Sequence, residues 1–549
     1  MNLETVAFLV MGIAAFVTRI LPISISQYPF NNDGMTESRI AEKITESGHL
    51  SLLPDGQLTT THSTAMPAMN VILAYLSSLL GVTPYQCAQI LIAVISVLTV
   101  CVIYVLAKEF AGDYRAGVVA GLMAVLMGTF VFTTGSAWKE AMGIGFLGLA
   151  LLIFIRRNEF RYRALCIVIF LTLPLVHHLA ALVGILLITY PVVWSWYFVT
   201  RSGNLKDRHL LDVVTVAIAG TSAFGVYSLL SLDRFREFSS PANVVLIGLA
   251  FAALCMFQNV ILSMKYHSKR TYAPIPVILI VGLLILDYYG YFFSYTPSAS
   301  KVYFVLVASF GIVFGVAWYG TEYALEHKPR IRAVQLALLL APATILGFGV
   351  LDGFSSTSHQ IIYRSFDLAD LFIFVGAGMA LSYLYAVRRK AYRLLSAAVV
   401  ISLLLSFPFG YYTESLLGVR HDTQGYEVDG IKWLSESRLK QQLISDERLS
   451  YIASAITDMP KDNQVVKFFR DGYNPTPPDN WFGAVEASFT TTGVNDYPNG
   501  LQRIPMSNYT WVIQESNVFY IGGPPDDYIL IFATSYTGYN AYMGENATG

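Results

Sequence analysis

Long apolar runs separated by short polar breaks fill the first three quarters of the chain, and the last quarter lacks them. A helix that crosses a bilayer needs about 20 apolar residues. On that measure the runs predict helices near 5–25, 65–82, 86–107, 115–133, 138–155, 163–176, 178–199, 210–231, 241–264, 273–290, 301–323, 333–351, 366–387 and 393–412, about fourteen in all. At His177-His178 one continuous apolar stretch must become two helices, and 163–176 is short for a full crossing. From residue 413 the pattern turns polar and mixed. The stretch 427–440 has helical spacing, and 447–457 predicts a second helix. Beyond it Pro, Gly, Asn and Tyr dominate, and the runs WVIQESNVFYIGG and DYILIFATS predict strands. The expected fold class is an α-helical polytopic membrane protein (1–412) with a small C-terminal α/β domain (413–549).

Lys and Arg orient such a bundle, because they are retained on the cytoplasmic side. The breaks after helices 3, 5, 7, 9, 11 and 13 read KEFAGDYR, RRNEFRYR, RSGNLKDRH, KYHSKR, EHKPRIR and RRKAYR, and together hold about nineteen Lys and Arg. The opposite loops hold about seven, spread over more residues. This alternation predicts a multi-pass cell-membrane protein with a cytoplasmic N-terminus. The long first loop (27–64) and the tail are expected outside. The first apolar run has no basic n-region and no small-residue cleavage site, so it is expected to stay as helix 1. Two glycosylation tripeptides, at Asn508 and Asn546, fall in the outer tail and are compatible with this placement.

Composition narrows the function. Residues are 54% hydrophobic and only 13% charged, about half the charge of a soluble protein, so lipid must cover much of the surface. A net charge of −1 argues against nucleic acid as the main partner. The cysteines, Cys87, Cys101, Cys166 and Cys255, lie in or beside apolar segments, lack metal-ligand spacing and read as small buried hydrophobes. There is no internal repeat, P-loop or dinucleotide-binding glycine fingerprint, which argues against a pump with its own nucleotide site.

The candidate chemistry collects at one face. In the first outer loop, Thr36 begins an amphipathic helix expected to lie along the membrane surface, with Asp33 at its start. Asp33 reads either as an N-cap or as one of a group of functional acids, and Glu37 in the same helix is a further candidate. Arg19, near the outer end of helix 1, can snorkel, bind a lipid phosphate, orient Asp33 or form a structural salt bridge. Lys139-Glu140 opens the helix at 138–155. Glu140 suits a helix N-terminus, but Lys139 opposes the dipole there and needs another reason, such as an anionic ligand. His62 and His178 sit at outer junctions, where a lone His is ordinarily a core or interfacial residue. Arg364, the only Lys or Arg in the loop before helix 13, suits a phosphate. Such a set suits a substrate with its head group at the outer leaflet and its tail in lipid.

These segments resemble the GT-C superfamily, integral membrane glycosyltransferases that use polyprenyl-phosphate-linked sugars. The Arg19-Ile-Leu-Pro end of helix 1, followed by Asp33, resembles the family's first-loop acidic motif. His62-Ser-Thr-Ala-Met-Pro resembles the His-Pro-Pro-type segment of polyprenyl-phosphate sugar transferases. Gly135 to Glu140 resembles the second acidic segment of oligosaccharyltransferase catalytic subunits, and Tyr426 to Trp433 resembles the start of the soluble domain in archaeal members. The overall plan covers the whole chain. The Trp-Trp-Asp motif of oligosaccharyltransferases is missing, and Lys139-Glu140 replaces their second acidic motif.

The resemblance implies a polyprenyl- or dolichyl-phosphate sugar as donor, an acceptor that the sequence does not name, and inverting displacement. Asp33 would be the general base, and Glu140 would position Lys139 or the sugar. Lys139, Arg364, Arg19, Glu37, His62 and His178 would bind the donor. No cofactor is expected, and Lys139 disfavours a divalent metal. A lipid-linked-sugar flippase or secondary transporter is the alternative, for which paired midplane charges or helix breaks would be expected.

Overall fold

A computed structural model describes residues 2–24, 26–50, 66–202, 207–229, 240–263, 278, 282, 301–353, 356–411, 423, 425–436, 442–444, 447–457, 461–462, 481–486, 494–496, 500–502, 516–522 and 528–534. The expected helix at 273–290, His62 and both glycosylation tripeptides lie outside the described residues.

The membrane part is built from α1 (Leu3–Ile20), α2 (Asn32–Ser47), α3 (Ala68–Leu80), α4 (Pro84–Ala111), α5 (Tyr114–Leu126), α6 (Gly128–Gly135), α7 (Lys139–Ile155), α8 (Phe160–Val176), α9 (His178–Ser202), α10 (Asp207–Leu229), α11 (Pro241–Ser263), α12 (Lys301–His327), α13 (Arg332–Leu351), α14 (Ser356–Val387) and α15 (Arg389–Ser406). Among the described residues eight helices are long and apolar enough to cross a bilayer, and a ninth arises if α5 and α6 count as one bent span. The break at His177 is present, with α8 ending at Val176 and α9 starting at His178.

Two expectations change. The run 65–82 does not form a crossing. It yields the 13-residue α3, about 20 Å long at 1.5 Å per residue against a hydrocarbon core of about 30 Å. Both ends of α3 lie beside α2. Asn70 donates to the Glu37 carbonyl at 3.1 Å, and across the turn after α3, Ser38 Oγ donates to the Pro84 carbonyl at 3.4 Å. With fourteen full crossings, the loop 27–64 would share a face with the basic loops. With α3 lying along the surface, the loop lies opposite them. The run 115–133 breaks at Met127 into α5 and α6, bent by 71°. A Cβ on Gly128 would stand 1.7 Å from the Ser406 carbonyl, so only glycine lets α6 turn flat against the end of α15.

The helix ends define two faces. At the basic face Glu4 of α1 binds Lys108 and accepts from Tyr104 Oη at 2.9 Å. Asp212 of α10 holds Arg157 at 3.1 Å and Arg163 at 2.7 Å, and Lys328 Nζ donates to the Ala111 carbonyl at 2.8 Å. At the opposite face lie α2, α3, α6 and the tail.

The described tail contains α16 (Gly425–Glu436), α17 (Glu447–Ile456) and strands β1 (Gln442–Ile444), β2 (Lys461–Asp462), β3 (Trp481–Glu486), β4 (Val494–Asp496), β5 (Gly500–Gln502), β6 (Ser516–Gly522) and β7 (Tyr528–Thr534). One sheet runs β2-β1-β3-β7-β6, with β1 parallel to β2 and β3, and β7 antiparallel to β3 and β6. Strands β4 and β5 pair separately. The β-branched and aromatic runs of β6 and β7 suit such a sheet. Helix α17 packs on α2. The Tyr85 hydroxyl donates to the Ala455 carbonyl at 2.8 Å and Ser26 Oγ to the Thr423 carbonyl at 2.5 Å, which join tail and membrane part.

Candidate functional site

Helix α2 starts on Asn31, whose side chain accepts from Asp33 N at 2.8 Å. Asn31 is therefore the N-cap, and Asp33 lies in the first turn, where its charge suits the helix dipole. Apolar Met35, Ile40 and Ala41 turn inward and hold the helix down. Gly34 lets it come close: a Cβ there would lie 2.6 Å from Pro29 Cβ and 2.7 Å from Ala137 Cβ. That contact sets Asp33 against the turn between α6 and α7. Gln89 of α4 fixes the same junction. Its Nε2 donates to the Arg19 carbonyl at 2.7 Å and the Gly135 carbonyl at 2.8 Å, and its Oε1 accepts from Phe30 N at 3.1 Å.

The first turn of α7 carries the fixed charges. Lys139 Nζ lies 3.2 Å from Glu37 Oε1, with both side chains 6% exposed. Asn70 Nδ2 also donates to the Glu37 carboxylate. Burial pushes the Glu37 carboxyl above its usual range, against the pull of Lys139 and Asn70. Lys139 thus answers an acid on α2, which accounts for a lysine at a helix N-terminus. Glu140 does not position Lys139. Successive side chains on a helix diverge by about 100°, and Glu140 faces α14 instead, with Oε2 3.9 Å from Arg364 Nε. Its other oxygen, Oε1, is buried without a hydrogen bond, as is the Ser136 hydroxyl. On α14, Asp367 accepts from Thr133 Oγ1 at 3.1 Å. Asp33 lies within electrostatic reach of Glu37, Lys139 and Glu140.

The fold therefore gathers Asp33, Glu37, Lys139, Glu140 and Arg364 at one rim. His178 stands at its edge, with Nδ1 3.3 Å from Met66 Sδ. Its neighbour His177, read from the sequence with it as an ordinary core or interfacial histidine, is buried, and its Nδ1 accepts from Ala180 N at 3.2 Å to cap α9. Arg19 has a different task from phosphate binding or orienting Asp33. It is fully buried, and its guanidinium donates to the Ala124 carbonyl at 2.7 Å, the Val125 carbonyl at 3.1 Å and Thr134 Oγ1 at 3.0 Å. It caps the end of α5 at the break. Asn70, Gln89, Thr133 and Asp367 belong to the rim and were not picked from the sequence. An amide in an apolar run was the available signal for the first two. Among the described residues no group of three or more His, Cys, Asp and Glu is arranged to hold a metal ion. The arrangement sets one half-buried acid beside two fixed cations at the end of a helical bundle, so it can take a proton from a hydroxyl next to a developing oxyanion.

No protein-family model matches the sequence, and no curated protein does. Among solved structures the chain is similar to the arabinofuranosyltransferase AftD from Mycobacteria, with 13% identity and a TM-score of 0.50, over 96% of this chain and 40% of AftD. It thus spans well under half the length of that protein. ArnT from Cupriavidus metallidurans is also similar. In the structure bound to undecaprenyl phosphate the identity is 14% and the TM-score 0.42 over 96% of this chain and 98% of ArnT. In the apo state the values are 12% and 0.47 over 97% and 98%. At these identities the likeness is one of fold: the chain shares its overall fold with the matched part of AftD.

Proposed function

We propose that this chain is a glycosyltransferase that moves a sugar from a polyprenyl-phosphate-linked donor to an acceptor hydroxyl at the extracytoplasmic face. The observation that carries the reading is the rim itself: Asp33 held by the Gly34–Ala137 contact beside Lys139 and Glu140, with Arg364 on the far side. The fold shared with AftD, an arabinofuranosyltransferase, supports it, as does the sequence resemblance to GT-C enzymes.

In the reaction the acceptor oxygen attacks the anomeric carbon as Asp33 takes its proton. The bond from that carbon to the phosphate oxygen breaks, its electron pair stays on the phosphate, and the anomeric configuration inverts. Arg364 and Lys139 offset the charge on the departing phosphate. The guanidinium offers a planar pair of donors, and the ammonium a point charge. Glu140, with one oxygen unbonded, accepts from a sugar hydroxyl. The donor's own phosphate bond drives the transfer.

Purified protein offered a panel of polyprenyl-phosphate sugars should transfer one of them. Asp33→Asn should lower the rate by about 10²–10⁴-fold while leaving the melting temperature within a few degrees of wild type. An unchanged rate would remove Asp33 as the base. No transfer from any donor, together with movement of a lipid-linked sugar across liposomes, would support the flippase instead.

A further inference from the structure

One intramembrane acid plays no part in the proposed chemistry. Asp367, Asp370 and Phe374 stand at i, i+3 and i+7 on α14 and so share a face. Asp367 meets α6 at Thr133, 3.1 Å away, and Phe374 meets α6 at Phe130, with ring centroids 4.9 Å apart. Asp370 lies between these two fixed contacts and faces the same seam. It is 2% exposed, and no hydrogen bond or ion pair joins its carboxylate to any described residue. Across the seam Thr129, one turn before Thr133, has its hydroxyl oxygen shut off from solvent without a hydrogen bond. Thr129 also lines a cleft with Ser309, Ser402 and Ser406.

The place in the fold is as telling as the residues. The seam runs along the break where α5 and α6 bend by 71°. Broken helices inside a membrane domain are where transporters hold small cations, between carboxylates, hydroxyls and loosened backbone. The charges leave room for one positive charge. Asp367 has Arg364 nearby and the Thr133 hydroxyl. Asp370 has neither, and a carboxylate buried without a partner is costly. Carboxylate and hydroxyl oxygens are hard ligands, suited to a hard ion.

We propose that Asp370, with Asp367 and Thr129, binds a single sodium ion in the seam between α6 and α14, one turn deeper than the rim that handles the sugar. The ion ties the flat α6 to α14 and so steadies Thr133 and the start of α7.

The test compares the melting temperature of the full chain in detergent in sodium, potassium and choline chloride at equal ionic strength and fixed pH. Sodium should raise it by about 2–4 °C over choline. That rise should vanish in Asp370→Asn and shrink in Thr129→Val. Equal melting temperatures in all three salts would overturn the proposal, as would a sodium effect that persists in Asp370→Asn. A pH-dependent shift lost in Asp370→Asn, with no salt specificity, would also overturn it, by showing that a proton alone neutralises the carboxyl. If Asp370→Asn does not accumulate, Thr129→Val decides.

Discussion

The two faces of the membrane part use charge differently. At the basic face acids and bases close on each other: Asp212 is held by Arg157 and Arg163, and Glu4 by Lys108 and Tyr104. These pairs join helix ends and leave a surface rich in cations. At the opposite face acids and bases from three helices meet in one cluster beside the turn between α6 and α7. Lys139 and Glu37 are each 6% exposed, Glu140 keeps an unbonded oxygen, and Ser136 keeps an unbonded hydroxyl. Charge at the first face joins neighbouring helix ends in separate pairs, whereas charge at the second gathers in one cluster, the one to which the proposed function assigns donor binding.

The comparison can be broken by substitution, and the effects should fall in a definite order. Lys139→Met leaves Glu37 buried without its cation. Removing one member of a buried pair costs about 3–5 kcal/mol, so a large fall in melting temperature is expected, together with loss of transfer. Replacing both partners, Lys139→Met with Glu37→Met, should recover most of the stability but none of the transfer. Gly34→Ala comes next. Its methyl group would meet Pro29 and Ala137, and overpacking of this kind costs about 1–3 kcal/mol. A displacement of about 1 Å at Asp33 should also slow transfer by about 10²-fold, so rate should suffer more than stability. Asp212→Asn at the basic face should show the reverse: about 1.5–3 kcal/mol of stability lost with the two arginine contacts and an unchanged rate per folded molecule. Lys108→Ala removes a pair that water partly screens, and its melting temperature should fall by the least in the series, within about 1 °C of wild type. Rate and melting temperature measured side by side across this series separate the two faces.

The sequence showed the helices well because the apolar runs are long and the breaks between them are charged. It misjudged α3, since an apolar run of marginal length looks the same whether it crosses or lies along the surface. Only the contacts of Asn70 and Ser38 with neighbouring segments decide that. The break at Met127 lacks a proline, and its cause is a neighbour distant in sequence, the backbone at Ser406. Helix α14 begins ten residues before its apolar run, at Ser356 rather than 366, because its first turns are polar. Asp33, Lys139, Glu140 and Arg364 were legible as a group because each is a charge at the same end of the bundle. Their partners were not, since pairing depends on how each helix is rotated about its axis. Lys139 thus turned to Glu37, and Glu140 to Arg364.

The three bonds of Gln89 bear on how the protein is made. Its amide touches the end of α1, the loop before α2 and the end of α6, all within the first quarter of the chain. Asp33, Glu37 and Lys139 can therefore be locked together while the ribosome is still extending the segments that follow. Arg364 and Asp367 arrive much later, on α14, and α17 of the tail lies over α2 last of all. Half of the rim is thus a template laid down early, onto which the rest docks as it is inserted. Loss of the Gln89 amide should show first as nascent chains diverted to degradation, before any defect appears in the molecules that mature.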